Sequence, residues 1–457
     1  MEKSSPFIAS GEPGGAGTFY AFVSGERRER HGAPARAAWE LERLAVERGW
    51  PVGELLGSEA GLRRTLNVSR EALREAIRVV EGRGAMQMRR GRSGGLVLTP
   101  PQIERTAAAI AAYLRATGIT AAQIERSVRG LDQLLAWHIA GMPVPPVRRR
   151  GGEAVRHWLA RASGQPVYRL YAATLDVLVP SVAGGTIVPV ALKEAVAARD
   201  AAAIVRALRG IPRVATPGPG ESQANAAPAR AASLAMRIVA RGAANDDADL
   251  GNEAILCEQF RASRSVVRQA LRILQDLDMI HVRLGRGGGY ARKLPSPIGI
   301  IRQVFPWLAA AHSCPLALTD LMWEINAANL RLAGEALAAM PACERAAWTE
   351  RLEQLFRQTG GSHRFIRLQQ TLGEIADCPM IDTLARCVVS YQARTHFAIW
   401  LDRQSCGVCD RDVDSERAIV RALTAGDVGA AERALRTLQD TLQERVLQHL
   451  AARLAAE

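Results

Sequence analysis

The feature that most constrains this chain is that part of it occurs twice. "GSEAGLRRTLNVSREALREAIRVVEGRGAMQMRRGRSGG", Gly57 to Gly95, and "GNEAILCEQFRASRSVVRQALRILQDLDMIHVRLGRGGG", Gly251 to Gly289, align without a gap at an offset of 194 residues. The same offset pairs Glu59 with Glu253, Ser69 with Ser263, Arg70 with Arg264, Arg74 with Arg268 and Arg78 with Arg272. A gapless match of this length points to internal duplication. The fold must then be built from a unit that works twice in one chain.

Both copies share one local grammar. Ser58 and Asn252 suit the N-cap of a short helix, and Glu59 and Glu253 place negative charge at its positive end. That helix is predicted to run to Leu66 or Phe260. A three-residue turn then ends at Ser69 or Ser263, the next N-cap. The second helix carries Leu73, Ile77 and Val80, or Val267, Leu271 and Leu274, at helical spacing. "MQMRRGRSGGLVL" and "IHVRLGRGGGYAR" follow as hairpins with basic, Gly-rich tips. One more amphipathic helix precedes each unit, at about 35–48 and 229–241. Three helices and a basic hairpin make a winged helix-turn-helix.

That architecture gives the arginines a task. The second helix of such a pair enters the major groove with its N-terminal residues toward base edges. Arg70, Arg74 and Arg78, and Arg264, Arg268 and Arg272, recur one turn apart there. Arginine suits bidentate contact with guanine or phosphate. Ser69 and Ser263 can serve the helix N-terminus and a phosphate together. The tips, Arg89, Arg90, Gly91 and Arg92 in one copy and Arg283, Gly285 and Arg286 in the other, are placed to follow the adjacent backbone, with glycines for close approach. A lone Arg-x-x-x-Arg is ordinarily a solvated helix face. Here cap, turn, apolar stripe and wing all recur, which favours contact with DNA. The net charge of +13 also suits an anionic partner, although free use of arginine in a GC-rich genome gives the same surplus.

The 457 residues exceed one compact core. Ala, Leu and Arg dominate and aromatics are only 5%, which favours helices over sheets. No apolar run is long enough to span a bilayer, and the N-terminus lacks the pattern of a secretory signal. Seven cysteines, an odd count, suit reduced thiols and a cytoplasmic protein.

The two copies resemble the GntR family of bacterial transcription regulators, in particular its FadR-like branch. The segments "GSEAGLRRTLNVSREALREAIR" and "GNEAILCEQFRASRSVVRQALR" carry the likeness. The family usually has Arg after the Glu as a DNA contact; this chain has Ala60 and Ala254. The resemblance implies an all-helical effector domain after each winged helix. "ARASGQPVYRLYAATLDVLV" at 160–179 and "IADCPMIDTLARCVV" at 375–389 resemble one part of that domain. The stretches 192–208 and 416–438 resemble its last two helices.

Such domains often hold a metal through one Asp and three His beside a small carboxylate. Here those positions fall on Phe365, Gln369, Glu416 and Leu438 in the second half, and on Gly152, Arg156, Pro189 and Ile211 in the first. Phe, Leu and Ile cannot ligate, so no metal or other cofactor is expected. A slip in alignment brings in His363 or His396, of which His363 reads better as an exposed helix residue. The first helical region is the shorter, and "PVPPV" at 143–147 followed by "RRRGG" marks a loop where a helix is missing.

"CGVC", Cys406 to Cys409, lacks the further ligands of a zinc site and reads as a reduced loop. No phosphate-binding loop, catalytic triad or carboxylate pair stands out, so no enzyme is expected. The expected fold is mainly α. A loose tail covers 1–33, a first winged helix-turn-helix 34–100 and a trimmed helical domain 101–210. A linker follows at 211–228, then a second winged helix-turn-helix at 229–295 and a helical bundle at 296–457. The expected partner is a double-stranded DNA operator with an inverted repeat, bound by a pseudo-dimer within one chain. Further homodimerisation and a small-molecule effector stay open. The alternative is a non-catalytic architectural or protein-interaction module with weak, non-specific DNA binding.

Overall fold

The computed structural model describes residues 33–91, 94–100, 102–142, 149–150, 152–179, 188–211, 231, 233–235, 237–238, 249–283, 285, 288–293, 295–311, 315–358, 362–395 and 410–456. The chain is mainly helical. Its first part runs α1 (Ala33–Glu47), β1 (Leu55–Gly57), α2 (Glu59–Leu66), α3 (Arg70–Gly82), β2 (Met86–Arg89) and β3 (Gly95–Leu98). Leu73, Ala76, Ile77 and Val80 form the buried stripe of α3, which lies against α1 and its buried Ala38, Leu41 and Ala45. The strands form an antiparallel sheet in the order β1-β3-β2, with Leu55 opposite Val97 and Met86 opposite Leu98. The third strand, β1, is not part of the expected hairpin; it adds an outer edge to it.

The same elements recur 194 residues on. Helical residues at 231, 233–235 and 237–238 bury Ala231, Leu234, Ala235 and Ile238. They precede β4 (Asp249–Gly251), α10 (Glu253–Phe260), α11 (Arg264–Asp276), β5 (Ile280–Arg283) and β6 (Gly289–Arg292), which we number after the intervening helices. The second sheet has the order β4-β6-β5.

Between the units lie α4 (Ile103–Ala116), α5 (Ala121–Gly141), α6 (Val155–Ala162), α7 (Pro166–Leu178), α8 (Val190–Ala197) and α9 (Ala201–Arg209). After the second come α12 (Pro297–Ala311), α13 (Pro315–Ala339), α14 (Ala342–Gln358), α15 (Ser362–Ala376), α16 (Pro379–Thr395), α17 (Asp410–Thr424) and α18 (Val428–Ala456). The offset of 194 persists from Ile103 to Pro297 and from Ala121 to Pro315, and is lost after α5. Helix α14 has no counterpart among the described residues between Gly141 and Val155. The Pro-rich stretch 143–147 lies outside the described residues, as do the tail 1–32, most of the expected linker, His396 and the Cys406–Cys409 pair. Ile211, at the start of the expected linker, is buried. Among the described residues no helix is long and apolar enough to cross a membrane.

The two halves interlock. α4 packs on α12, and α5 packs on α13 and α16. Gly130 of α5 is required there: a Cβ would lie 2.8 Å from both the Ile381 Cδ1 and the Tyr171 hydroxyl. Trp50 of the first unit meets Phe305 of α12 edge-on at 6.5 Å, and Phe305 continues to Tyr391 at 5.2 Å.

A polar cluster bridges the same seam. His138 Nδ1 faces Glu324 Oε1 at 2.8 Å, and its Nε2 faces the Ser163 carbonyl at 3.0 Å. The Tyr168 hydroxyl donates to the other Glu324 oxygen. Both ring nitrogens meet acceptors, so the imidazolium satisfies both. Burial disfavours the charged ring, but the Glu324 carboxylate and the Ser163 carbonyl outweigh it and raise the His138 pKa. A raised folded-state pKa stabilises below the ordinary value of 6.5, and that stability is lost as pH rises through the folded value. Thermal unfolding of the wild type is expected to shift to lower temperature as pH rises above 6.5, and His138→Gln to flatten that slope. A slope equal in both proteins would remove His138 as its source.

Candidate nucleic-acid interface

Each unit presents the N-terminus of one helix to solvent. Ser58 caps α2 by accepting from the Gly61 amide at 3.1 Å. The chain turns through Asn67 in the left-handed region (φ 49°), and Ser69 caps α3 by accepting from the Ala72 amide at 3.1 Å. In the second unit Asn252 caps α10 through the Ala254 and Ile255 amides, and Arg261 takes the left-handed position at φ 50°. The spans and turns match the sequence expectation.

Ser263 does not. It occupies the N-cap position of α11, but its side chain makes no capping bond. Its hydroxyl meets the Ser265 hydroxyl at 3.1 Å instead. The first copy has Glu71 at that place, which offers no hydroxyl to the serine. The expectation that both serines serve their helix ends therefore holds for Ser69 and fails for Ser263. Ser69→Ala is expected to cost about 1 kcal/mol, as for a lost cap. Ser263→Ala is expected to stay within about 0.5 kcal/mol. Denaturant titration of the two variants checks this; equal losses would contradict the difference in capping.

The expected arginines stand at these helix ends. Arg70 and Arg264 are 67% and 71% exposed, and Arg74 and Arg268 about half exposed. In both units they converge on the first glutamate of the preceding helix. Glu59 Oε1 lies 3.5 Å from Arg70 Nε and 3.0 Å from Arg74 Nε. Glu253 lies 3.1 Å from Arg264 Nε and 2.9 Å from Arg268 Nε. Burial works against the Glu253 carboxylate, but hydrogen bonds from Arg268 and Arg264 hold its pKa below the usual range. Each helix end thus carries two guanidiniums fixed side by side with one carboxylate behind them. Sequence assigned Glu59 and Glu253 only to the helix dipole; the bridging spans 11 and 15 residues and depends on the turn.

Arg78 pairs with Glu75 on its own helix, and Arg272 is exposed. At the first wing Arg89, Arg90 and Gly91 are exposed, while Arg92 lies outside the described residues. At the second, Arg283 is half-buried, Gly285 is exposed and Arg286 lies outside the described residues. The wing glycines have an internal reason. A Cβ on Gly94 or Gly288 would sit 2.4 or 2.5 Å from the carbonyl of Arg89 or Arg283, closing the hairpin. Tyr290 on β6 is a residue that sequence reading missed. Burial, and then the charge of Glu253, raise its phenol against the opposing charges of Arg268 and Arg272.

The units differ in charge. Arg63 and Arg64 are exposed on α2, where α10 has Cys257 and Glu258. Ala60 and Ala254 both lie exposed at the second position of these helices.

The positions where the resemblance implies a metal do not fit one. Arg156 is paired with Asp132, and Glu416 with Arg364, both in the interior. Leu438 and Ile211 are buried apolar residues. Among the described residues no three His, Cys, Asp or Glu gather as a metal site. The His363 side chain lies outside what is described.

No family model matches the chain, and no curated protein matches it. Two solved structures are similar. A GntR from Streptococcus agalactiae is 18% identical, covers 49% of this chain and 99% of its own, and has a TM-score of 0.32. A chain described as a GntR transcriptional regulator of Rhodococcus sp. RHA1 is 21% identical, covers 48% of this chain and 93% of its own, and has a TM-score of 0.23. At these scores the likeness has no weight of its own, and the functional reading rests on the residues.

Proposed function

We propose that this chain is a sequence-specific DNA-binding regulator. In this reading it is a tandem fusion of two winged helix-turn-helix units of the GntR type, FadR-like branch, each followed by a helical domain. The observation that carries it is the repeated helix end: two exposed arginines aligned by one glutamate, on the helix that follows a tight turn, in both copies. Arg70, Arg74, Arg264 and Arg268 read base edges. Ser69, Arg78, Arg272 and the wing residues Arg89, Arg90 and Arg283 hold phosphates.

The placement of the two helices suits one operator. Each has 13 residues, about 20 Å at 1.5 Å per residue, and they touch. Arg83 at the end of α3 binds Asp276 at the end of α11, so the C-terminal ends meet. Their N-termini are then at most about 45 Å apart, within reach of half-sites one helical turn, roughly 34–36 Å, from each other. That arrangement supports an inverted repeat read by one chain.

Selection of bound fragments from a random DNA pool tests this. A recovered pair of half-sites supports the regulator. The second reading, an architectural protein with weak non-specific binding, is favoured by Cys257 and Glu258, which replace two positive charges beside the second helix with one negative. A steep salt dependence with no recovered sequence would select it.

A further inference from the structure

We propose that the Arg83–Asp276 junction fixes the separation and phase of the two recognition helices, and so sets the one half-site spacing the chain accepts. The inference rests on the DNA-reading function above. Arg83 caps the C-terminus of α3, and Asp276 is the last residue of α11. The contact is a fork: Arg83 Nη2 donates to Asp276 Oδ1 at 3.0 Å, and Nε to Oδ2 at 3.2 Å. The remaining Nη1 donates to Glu42 of α1 at 2.6 Å. Gln303 of α12 donates to the second Asp276 oxygen, and the Asp276 charge also acts on Arg105 of α4. Arg83, Asp276, Glu42 and Gln303 thus join four helices from both halves, with Arg105 of α4 in the same electrostatic field.

Burial makes this junction rigid. Arg83 and Glu42 are 6% and 0% exposed and Asp276 17%. Apolar helix ends in contact can slide or roll. A planar fork whose charges are buried cannot, because any shift separates charges that water does not reach. The junction is also single. At the offset of 194, Arg83 corresponds to Leu277 and Asp276 to Gly82, which can form no second pair. Within the wider seam between the halves, this pair ties directly together two helices whose far ends carry Arg70 and Arg264.

Adding one base pair between half-sites rotates one of them by roughly 35° about the duplex axis. A rigid pair then loses simultaneous engagement, and with it the gain from linking two sites, roughly 100-fold or more. Titration of labelled duplexes with spacers from two base pairs shorter to two longer than the selected site tests the junction. The wild type is expected to lose at least about 100-fold at one base pair off. Asp276→Asn, which leaves Arg83 its Glu42 partner, is expected to lose less than about 10-fold, with affinity for a single half-site unchanged. Should Asp276→Asn fail to fold by circular dichroism, the triple variant Glu42→Gln, Arg83→Met and Asp276→Leu removes the buried charges of the junction together and is expected to show the same flattened profile. A spacer profile as sharp as the wild type's, in a folded variant, overturns the junction alone. A wild type with neither sequence nor spacer preference overturns the DNA reading as well.

Discussion

Replacing Arg70 and Arg74 together with alanine is expected to weaken operator binding by roughly 2–6 kcal/mol, at roughly 1–3 kcal/mol for each lost base contact. The effect has to be large if these residues read DNA, because little opposes their doing so. Among the described residues their restraint in the free chain is Glu59, at 3.5 and 3.0 Å, and the pairs are exposed. Exposed ion pairs of this kind are worth about 0–1 kcal/mol. Releasing them is cheap relative to a bidentate contact with guanine. Fluorescence anisotropy at fixed salt measures the loss. The companion variant, Arg264→Ala with Arg268→Ala, is expected to lose less, since Cys257 and Glu258 leave the second helix end in a weaker positive field. Binding unchanged in the first variant would remove the first half from DNA reading. Equal losses in both would make the units equivalent readers despite their charge.

How far this interface is legible from sequence depends on the range of the interaction. Ser58, Asn252, Asn67 and Ser69 act within three residues of themselves, and caps and turns of that reach leave a local signature. The buried stripe of α3 is equally readable, because one helix face repeats with the helical period. Strand β1 was not: three residues, Leu55 to Gly57, are too few to show alternation. A trace of it is present in the paired glycines. A Cβ on Gly95 would meet the Gly57 carbonyl at 2.4 Å, and one on Gly289 the Gly251 carbonyl at 2.7 Å, and all four glycines recur at the repeat offset. Arg83 and Asp276 look like ordinary charged residues at exposed helix ends. Nothing near either in sequence announces a partner 193 residues away. Ser263 misled for a different reason: its position is right for a cap, and one neighbouring hydroxyl redirects it. The docking of one half on the other was therefore hidden, while each repeated unit was largely visible.

Asp132→Ala is expected to destabilise the fold by about 3–5 kcal/mol, the cost of leaving a buried charge without its partner. Arg156 and Asp132 are 4% and 2% exposed. Nε and Nη2 donate to the two carboxylate oxygens at 2.7 and 2.9 Å, and Nη2 also donates to the Leu208 carbonyl at 3.0 Å. The pair ties α5, α6 and α9 together in the first helical region. The expected fall in melting temperature is on the order of 10 °C, at roughly 2–4 °C per kcal/mol. Breaking a pair and needing a pair are separate matters, however. The double variant Asp132→Leu with Arg156→Met is expected to recover most of the loss, since apolar side chains of similar volume commonly replace buried ions without penalty. The second half bears on this directly. At the offset of 194 Asp132 corresponds to Asn326, and counting back from Pro166 and Pro379 Arg156 corresponds to Gln369, so the related interior is held without that charge pair. Differential scanning calorimetry of the three proteins separates the cases. A double variant as unstable as Asp132→Ala would mean that the charges themselves hold this interior.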